Sequence, residues 1–203
     1  MSAPSSAGPT PKGRLRRTAL LDAAQRILSS SGGAELTMRT VADEAGVRLG
    51  HLQYYFPTRT DLLAALLDRV LTASLERVAD LTASPAVDLP AVLDVLLGEH
   101  EDLPLVRLFT EVWAMAAHDE AAAEAVRGFY GAYAAHVAEL VADRSAGRSA
   151  TLPPAAARAR ADVFVMLLEG SALFRSGVAG RPDAAGEALL RRTLLDLLDG
   201  GSG

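Results

Sequence analysis

The stretch TMRTVADEAGVRLGHLQYYFPTR, residues 37–59, holds the deciding pattern of this chain. Thr37 is a good N-cap, because its hydroxyl can accept an orphan backbone N–H at a helix start, and a short helix follows to about Ala45. Gly46 breaks that helix and suits a turn, since glycine takes positive φ without a Cβ clash. A second short helix is expected from about Leu49 to Tyr55. It stops before Pro57, whose ring disfavours helical geometry in the preceding residue. Two short helices joined at a glycine, under a longer first helix, outline a helix-turn-helix. Val41, Ala42 and Ala45 give the first a small apolar face, Val47 and Leu52 close the core between the two, and Phe56 ends it. Arg39, Arg48, His51, Gln53, Tyr54 and Tyr55 are left facing outward. These donors and flat polar rings suit phosphate oxygens and the base edges of a major groove. Thr37 and Thr58 open helices whose N-terminal amides can receive phosphate. An ordinary helical hairpin with a solvated face would show the same local pattern.

Working outward, helices are expected throughout. Residues 1–13 are rich in Ser, Pro and Gly without apolar periodicity and read as a disordered tail. From Arg14 to Ser31, Leu20, Ala23, Ala24, Ile27 and Leu28 recur at three- and four-residue spacing until Gly32-Gly33 stops the helix. Thr58-Arg59-Thr60-Asp61 resembles a capping box, with Asp in place of Glu, for a long helix to about Leu81. After Ser84-Pro85, helices are expected at about 88–99, 104–118, 120–145, 155–178 and 184–199, with Arg144 to Pro154 a loop and Asp183 a cap. There is no alternating β-branched run and no Asn-Gly hairpin signal. The expected fold class is all-α, about nine helices in total. A helix-turn-helix domain spans 14–60, a connecting helix 61–81 and a helical bundle 82–203.

The 203 residues carry 20 basic and 25 acidic side chains, a net charge of -5 that by itself argues against nucleic acid. The charge is uneven: residues 1–60 hold eight basic and four acidic side chains, leaving 12 and 21 in the other 143. A basic head on an acidic body is a hint of nucleic-acid contact. With half its residues hydrophobic, the chain can build a core; with no cysteine, disulfides, thiolate zinc sites and cysteine nucleophiles are excluded. No apolar run approaches the ~18 residues a membrane helix needs, and no secretory signal is visible, so a cytoplasmic protein is expected.

The stretch from Leu36 to Leu63 resembles the DNA-binding region of the TetR family of bacterial transcriptional regulators. The resemblance rests on the Thr-x-x-x-Val-Ala core, the Ala-Gly-Val turn, the Gly-x-Leu start of the next helix and the Tyr-Tyr-Phe-Pro block followed by a basic residue and Asp-Leu-Leu. It covers about residues 14–62; beyond it, Glu111-Val-Trp-Ala and Leu168-Glu-Gly-Ser-Ala-Leu resemble segments of one broad C-terminal branch of the family. The resemblance implies a phosphate contact at Thr37, base reading at Arg48, Leu49, Gly50 and His51, backbone or base contacts at Tyr54 and Tyr55, and a phosphate grip at Arg59, where family members usually carry lysine. Arg39 joins this set by its outward position, Gln53 departs from the aromatic usual at its place, and Phe56 is expected in the core. The bundle then implies ligand binding and dimerisation through the last two helices.

The residues of the bundle allow both tasks. Phe164, Leu167, Leu168, Leu173 and Phe174 on one helix and Leu189, Leu190, Leu194, Leu197 and Leu198 on the last could form a four-helix interface between copies or simply intramolecular core. Phe109, Trp113, Met115, Phe129, Tyr130 and Tyr133 cluster along two neighbouring helices as candidate ligand-binding residues, and Glu169 interrupts a strongly apolar stretch. The same aromatics also suit ordinary core. His118 could anchor a ligand or end a helix, and His100 beside Glu101 lacks a further metal ligand, so no metal and no cofactor are expected. No Gly-x-Ser-x-Gly elbow, phosphate-binding loop or His-Glu-x-x-His points to catalysis. The expected function is a ligand-responsive repressor that binds a palindromic double-stranded operator as a homodimer and is released by a small apolar or amphipathic effector. The alternative is an all-α ligand carrier or enzyme whose helix-turn-helix is only structural.

Overall fold

Caps, prolines and positive-φ glycines cut this chain into nine helices among the residues that the computed structural model describes: 10–83, 88–99, 101, 103–146 and 152–199. They are α1 (Pro11–Ser31), α2 (Met38–Glu44), α3 (Leu49–Tyr55), α4 (Arg59–Thr82), α5 (Leu89–Glu99), α6 (Leu103–Ala116), α7 (Glu120–Ala146), α8 (Pro154–Arg175) and α9 (Ala184–Asp199). The chain divides into two compact units, Met1–Leu67 and Asp68–Gly203, at a point inside α4.

Most boundaries follow from a single side chain. Thr37 Oγ1 accepts the Thr40 N–H, and the Thr37 N–H donates to Thr40 Oγ1, so the box expected of Ser/Thr with Glu/Gln is closed by two threonines. At α4, Thr58 Oγ1 accepts the Asp61 N–H at 3.1 Å while Asp61 Oδ2 accepts the Thr58 N–H at 3.0 Å. Asp119 and Asp183 cap α7 and α9 through their carboxylates. His118 lies past the end of α6 and is exposed.

Three expected boundaries shift. The helix expected from Arg14 begins at Pro11, because the Thr10 side chain accepts the Gly13 N–H and Pro11 needs no partner for a missing donor. Residues 11–13 therefore leave the expected disordered tail, and residues 1–9 lie outside those described. The loop expected at Arg144 to Pro154 starts later, since α7 runs on through Ala146; there Arg144 is held by two hydrogen bonds to Asp199 Oδ1, at 3.1 and 2.6 Å. α8 ends at Arg175 rather than 178, because Gly177 turns the chain at φ 84°. The Ser84-Pro85 break and His100 lie outside the described residues.

In the first unit, Leu20, Ala23, Ala24 and Leu28 of α1 are buried together with Leu36, Val41, Ala42, Leu52, Phe56 and Leu62. In the second unit, α7 packs on α6, α8 and α9, and α5 packs on α8 and α9. Arg175 ties three of these together: it donates to the Leu97 carbonyl of α5 at 3.0 Å and pairs with Glu101 and with Glu187 of α9. No helix among the described residues is long and apolar enough to cross a membrane.

Candidate nucleic-acid interface and ligand cavity

The turn between α2 and α3 has a specific geometry. Gly46 sits at φ 64°, its N–H donates to the Asp43 carbonyl at 3.0 Å, and the Val47 N–H donates to the Ala42 carbonyl at 2.9 Å. These two bonds form a Schellman motif, which satisfies carbonyls that α2 would otherwise leave open and fixes where α3 starts. Leu52 is fully buried and Phe56 is 2 % exposed, so the other side of α3 must face out. On that side lie Arg48, Gly50, Gln53 and Tyr54, the last 80 % exposed. Among the described residues the side chains of Arg39, Arg48 and Gln53 find no hydrogen-bond or ion-pair partner, and all three are exposed. A Cβ built on Gly50 meets nothing within 4 Å, so the flat spot it makes on α3 is not required by internal packing.

Tyr55 and His51 are half-buried, and their rings stand 5.7 Å apart; Tyr54 meets Tyr55 edge-on at 5.2 Å. This aromatic row holds the outward tyrosine against its own helix. Leu49 is half-buried at the start of α3. Thr37 is exposed, but its hydroxyl is already engaged with Thr40.

The structure adds features the local sequence does not announce. Arg16 of α1 brings Nη1 within 3.5 Å of His51 Nε2, which adds a cation from a residue 35 positions away. Arg17 lies over the Phe56 ring at 5.1 Å, a cation–π contact. Arg26 pairs with Glu44 at 2.8 Å and joins α1 to α2. Arg59 donates through Nε to the Leu36 carbonyl at 2.9 Å and through Nη2 to the Gly33 carbonyl at 3.2 Å. It is thus a clamp between the start of α4 and the α1–α2 connection, with Nη1 left over. Its basic character was visible in the sequence; its long-range carbonyl partners were not.

The second unit encloses a cavity lined from five helices: Ser74 and Val78 of α4, Leu96 and Glu99 of α5, Leu105, Val106, Phe109 and Trp113 of α6, Tyr133 of α7, and Leu168, Glu169 and Ala172 of α8. Of the seven candidate ligand residues, Phe109, Trp113, Tyr133 and Glu169 line it. Phe129 and Tyr130 stand behind, with Phe129 4.9 Å from Tyr130, 6.0 Å from Tyr133 and 6.2 Å from Phe109. Met115 is not among the lining residues. Trp113 Nε1–H donates to the Tyr130 hydroxyl at 2.8 Å, and that hydroxyl donates to Glu169 Oε2 at 3.3 Å. Burial pushes the Glu169 carboxyl up to about 7; the Tyr130 bond opposes this and the charge of Glu99 adds to it. Burial, reinforced by the charge of Glu169, also raises both tyrosine hydroxyls, which stay neutral donors. Ser74, Val78 and Glu99 carry no signal in the sequence that separates them from other helix residues. Among the described residues no cluster of His, Cys, Asp and Glu could hold a metal ion.

Residues 20–66 match the family profile described as bacterial regulatory proteins, tetR family. The chain is 34% identical over 133 residues to a relative from Xanthobacter autotrophicus described as an uncharacterized HTH-type transcriptional regulator in the dhlA 5'region, a match covering 63% of this chain and 64% of the relative, less than two thirds of its length. It is 26% identical over 190 residues to the HTH-type transcriptional regulator BetI of Burkholderia thailandensis, covering 91% of this chain and 93% of that one. Among solved structures, the multidrug binding protein EbrR complexed with ethidium superposes with a TM-score of 0.67 at 29% identity, covering 90% of this chain and 98% of that one.

Proposed function

We propose that the chain, whose residues 20–66 match the tetR family of bacterial regulatory proteins, works as a DNA-binding transcriptional regulator. It is a repressor that holds a palindromic operator as a homodimer in the cytoplasm and lets go when a small molecule occupies the cavity of its second unit. The observation that carries the DNA-binding half is the split of α3: Leu52 is fully buried while Tyr54, Gln53, Gly50 and Arg48 are exposed and, apart from the Tyr54–Tyr55 ring contact, uncommitted. A helix that presents donors and an aromatic hydroxyl from a rigid Schellman-fixed turn is built to enter a major groove. Arg48, Leu49, Gly50 and His51 then read bases. Tyr54 and Tyr55 take backbone or base edges, and Thr37, Arg39 and the Nη1 edge of Arg59 take phosphates.

Dimerisation is supported by an unpartnered apolar stripe. Val163, Met166, Leu173 and Phe174 are exposed along one side of α8 at helical spacing, with Gly170 among them, and Leu189 of α9 is exposed as well. Of these, the sequence leaves Leu173, Phe174 and Leu189 open between core and interface, and Val163 and Met166 are added by the structure. Phe164, Leu168, Leu194 and Leu198 are buried within the chain, so the exposed set is what a second copy would cover. Two copies would set their recognition helices about 34–36 Å apart, one DNA turn. The ligand half is supported by the apolar, aromatic-walled cavity and by the small molecule held in the EbrR structure. α4 carries Arg59 at its start and the cavity-lining Ser74 and Val78 farther along, so one helix is continuous from reader to sensor. Repression would be relieved because the ligand binds one conformation of the dimer better than the other.

Selection of genomic fragments by the purified protein, followed by footprinting, tests this reading. The expected result is a palindrome with half-sites one helical turn apart. Recovery of fragments without a shared site would overturn it.

A further inference from the structure

Deepening the sensor reading, on which the inference rests, we propose that the cavity takes a small organic cation, with Glu169 as its counter-charge and Phe109, Trp113 and Tyr133 as its aromatic walls. Of the residues that line the cavity none is basic, and two are carboxylates, Glu99 and Glu169. They are not equivalent. Glu99 is paired with Arg77 at 2.8 Å. Glu169 receives one long hydrogen bond from a neutral hydroxyl, at 3.3 Å, and is paired with no cation among the described residues. A carboxylate held among Leu168, Ala172 and aromatic rings without a positive partner is costly to ionise, and a cationic ligand would supply the partner the protein lacks.

The walls narrow the class of cation. Phe109, Trp113 and Tyr133 offer ring faces and edges, and a cation gains from the negative face of an aromatic ring. The remaining lining is Val78, Leu96, Leu105 and Val106, with one hydroxyl at Ser74. The lining offers a primary ammonium few acceptors for its three N–H donors, chiefly Glu169 and the Ser74 hydroxyl, since Glu99 is already paired with Arg77. An alkylated ammonium brings none and presents methyl groups to the apolar side. The cavity holds ≈ 40 Å³ of water-accessible space, and its whole void, open solvent included, is ≈ 530 Å³. The water-accessible space is on the scale of about three waters, which suits a compact quaternary head with its tail toward solvent. The Trp113–Tyr130–Glu169 chain of hydrogen bonds orients the carboxylate from behind, so the acid is a fixed feature of the site.

Trp113 is the one tryptophan of the chain, so its fluorescence reports on this cavity alone. The test titrates the full-length protein with choline and with its neutral carbon analogue, in which a tert-butyl group replaces the trimethylammonium. Each is read by Trp113 emission and, in parallel, by anisotropy of a labelled operator fragment. Choline should bind at least about ten-fold tighter than its neutral twin, as expected for a desolvated cation–π and ion-pair site. Glu169→Gln should remove that preference while leaving the neutral analogue within about three-fold, which also shows that the variant is folded. Equal binding of the pair, a preference that survives in E169Q, or no binding of choline would each overturn the cation assignment. Release of operator by the neutral compound would then leave the sensor reading standing. Binding of choline that leaves operator affinity unchanged would instead uphold the cation site and overturn the sensor reading.

Discussion

The two units of this chain hold their polar groups in opposite ways. In the first, the polar groups that the proposed function turns to DNA are exposed: Gln53 and Tyr54, with Arg48 at the N-cap, stand on the outer side of a seven-residue helix whose inner side is Leu52. In the second, the central polar group is Glu169, withdrawn among apolar and aromatic side chains and bound to Tyr130. An exposed donor loses little when its partner is absent, because water replaces it, whereas a withdrawn carboxylate bears a desolvation cost at all times. The reader can therefore be tuned residue by residue without touching the fold. The sensor cannot change its central acid without changing stability.

The first way to break this contrast is to attack the inner side of the reader. Leu52→Ala removes a fully buried side chain between α2 and α3 and should cost about 2–5 kcal/mol by denaturant unfolding, with loss of operator binding. A cost below about 1 kcal/mol would mean that α3 is not anchored as its burial indicates.

The second concerns the sensor. The carboxyl of Glu169 is raised to about 7 by burial, opposed by the bond from Tyr130 and assisted by Glu99, with the neutral hydroxyls of Tyr130 and Tyr133 beside it. A folded-state pKa above the unfolded one favours folding at low pH, and that advantage is lost as pH rises through the folded value. Wild type should therefore lose stability relative to Glu169→Gln between about pH 4.5 and 7. The gap should reach on the order of 3 kcal/mol by pH 8 and should be least near pH 4. Thermal melts of both proteins across this range check it; a gap that does not change with pH would remove the contrast between the units.

A smaller effect is expected outside the reader's core. Tyr54→Ala should weaken operator binding by about 1–3 kcal/mol, roughly five- to 150-fold, while unfolding moves by less than about 0.5 kcal/mol, since the side chain is 80 % exposed. A melt that shifts as strongly as binding would show that Tyr54 supports the fold instead. Smallest of all, Gly50→Ala should stabilise the protein by about 1 kcal/mol or less, because a Cβ there meets nothing in the chain and alanine is the better helix former. On the proposed docking the same methyl group would face the groove, so operator affinity should fall, by less than in the Tyr54 variant. Unchanged affinity would take Gly50 out of the interface.

Much of this architecture was legible in the sequence because it is local. Thr37, Gly46, Thr58 and Asp61 act on neighbours three or four residues away, and each cap or turn lies where its residue type predicts. The burial of Leu52 and Phe56 followed from their place in the pattern. The misjudged start of α1 has the same origin read too coarsely: Ser, Pro and Gly suggested disorder, while Thr10 followed by Pro11 is a cap with its first helical residue.

The set of helices, most of their ends and the outward residues of α3 could be read from the residues alone, since a helix period and a cap need only the residues within one or two turns. Packing, by contrast, settled the partners that come from elsewhere in the chain. These are Arg16 beside His51, the Arg59 clamp on Gly33 and Leu36, the division of the bundle's aromatics into cavity wall and support, and the pairing of Glu99 that leaves Glu169 without a cation. Such contacts join residues tens of positions apart, and nothing in the residue type of Glu99 or Glu169 says which will find an arginine. That depends on which helices pack side by side, and so does the chemistry of the cavity.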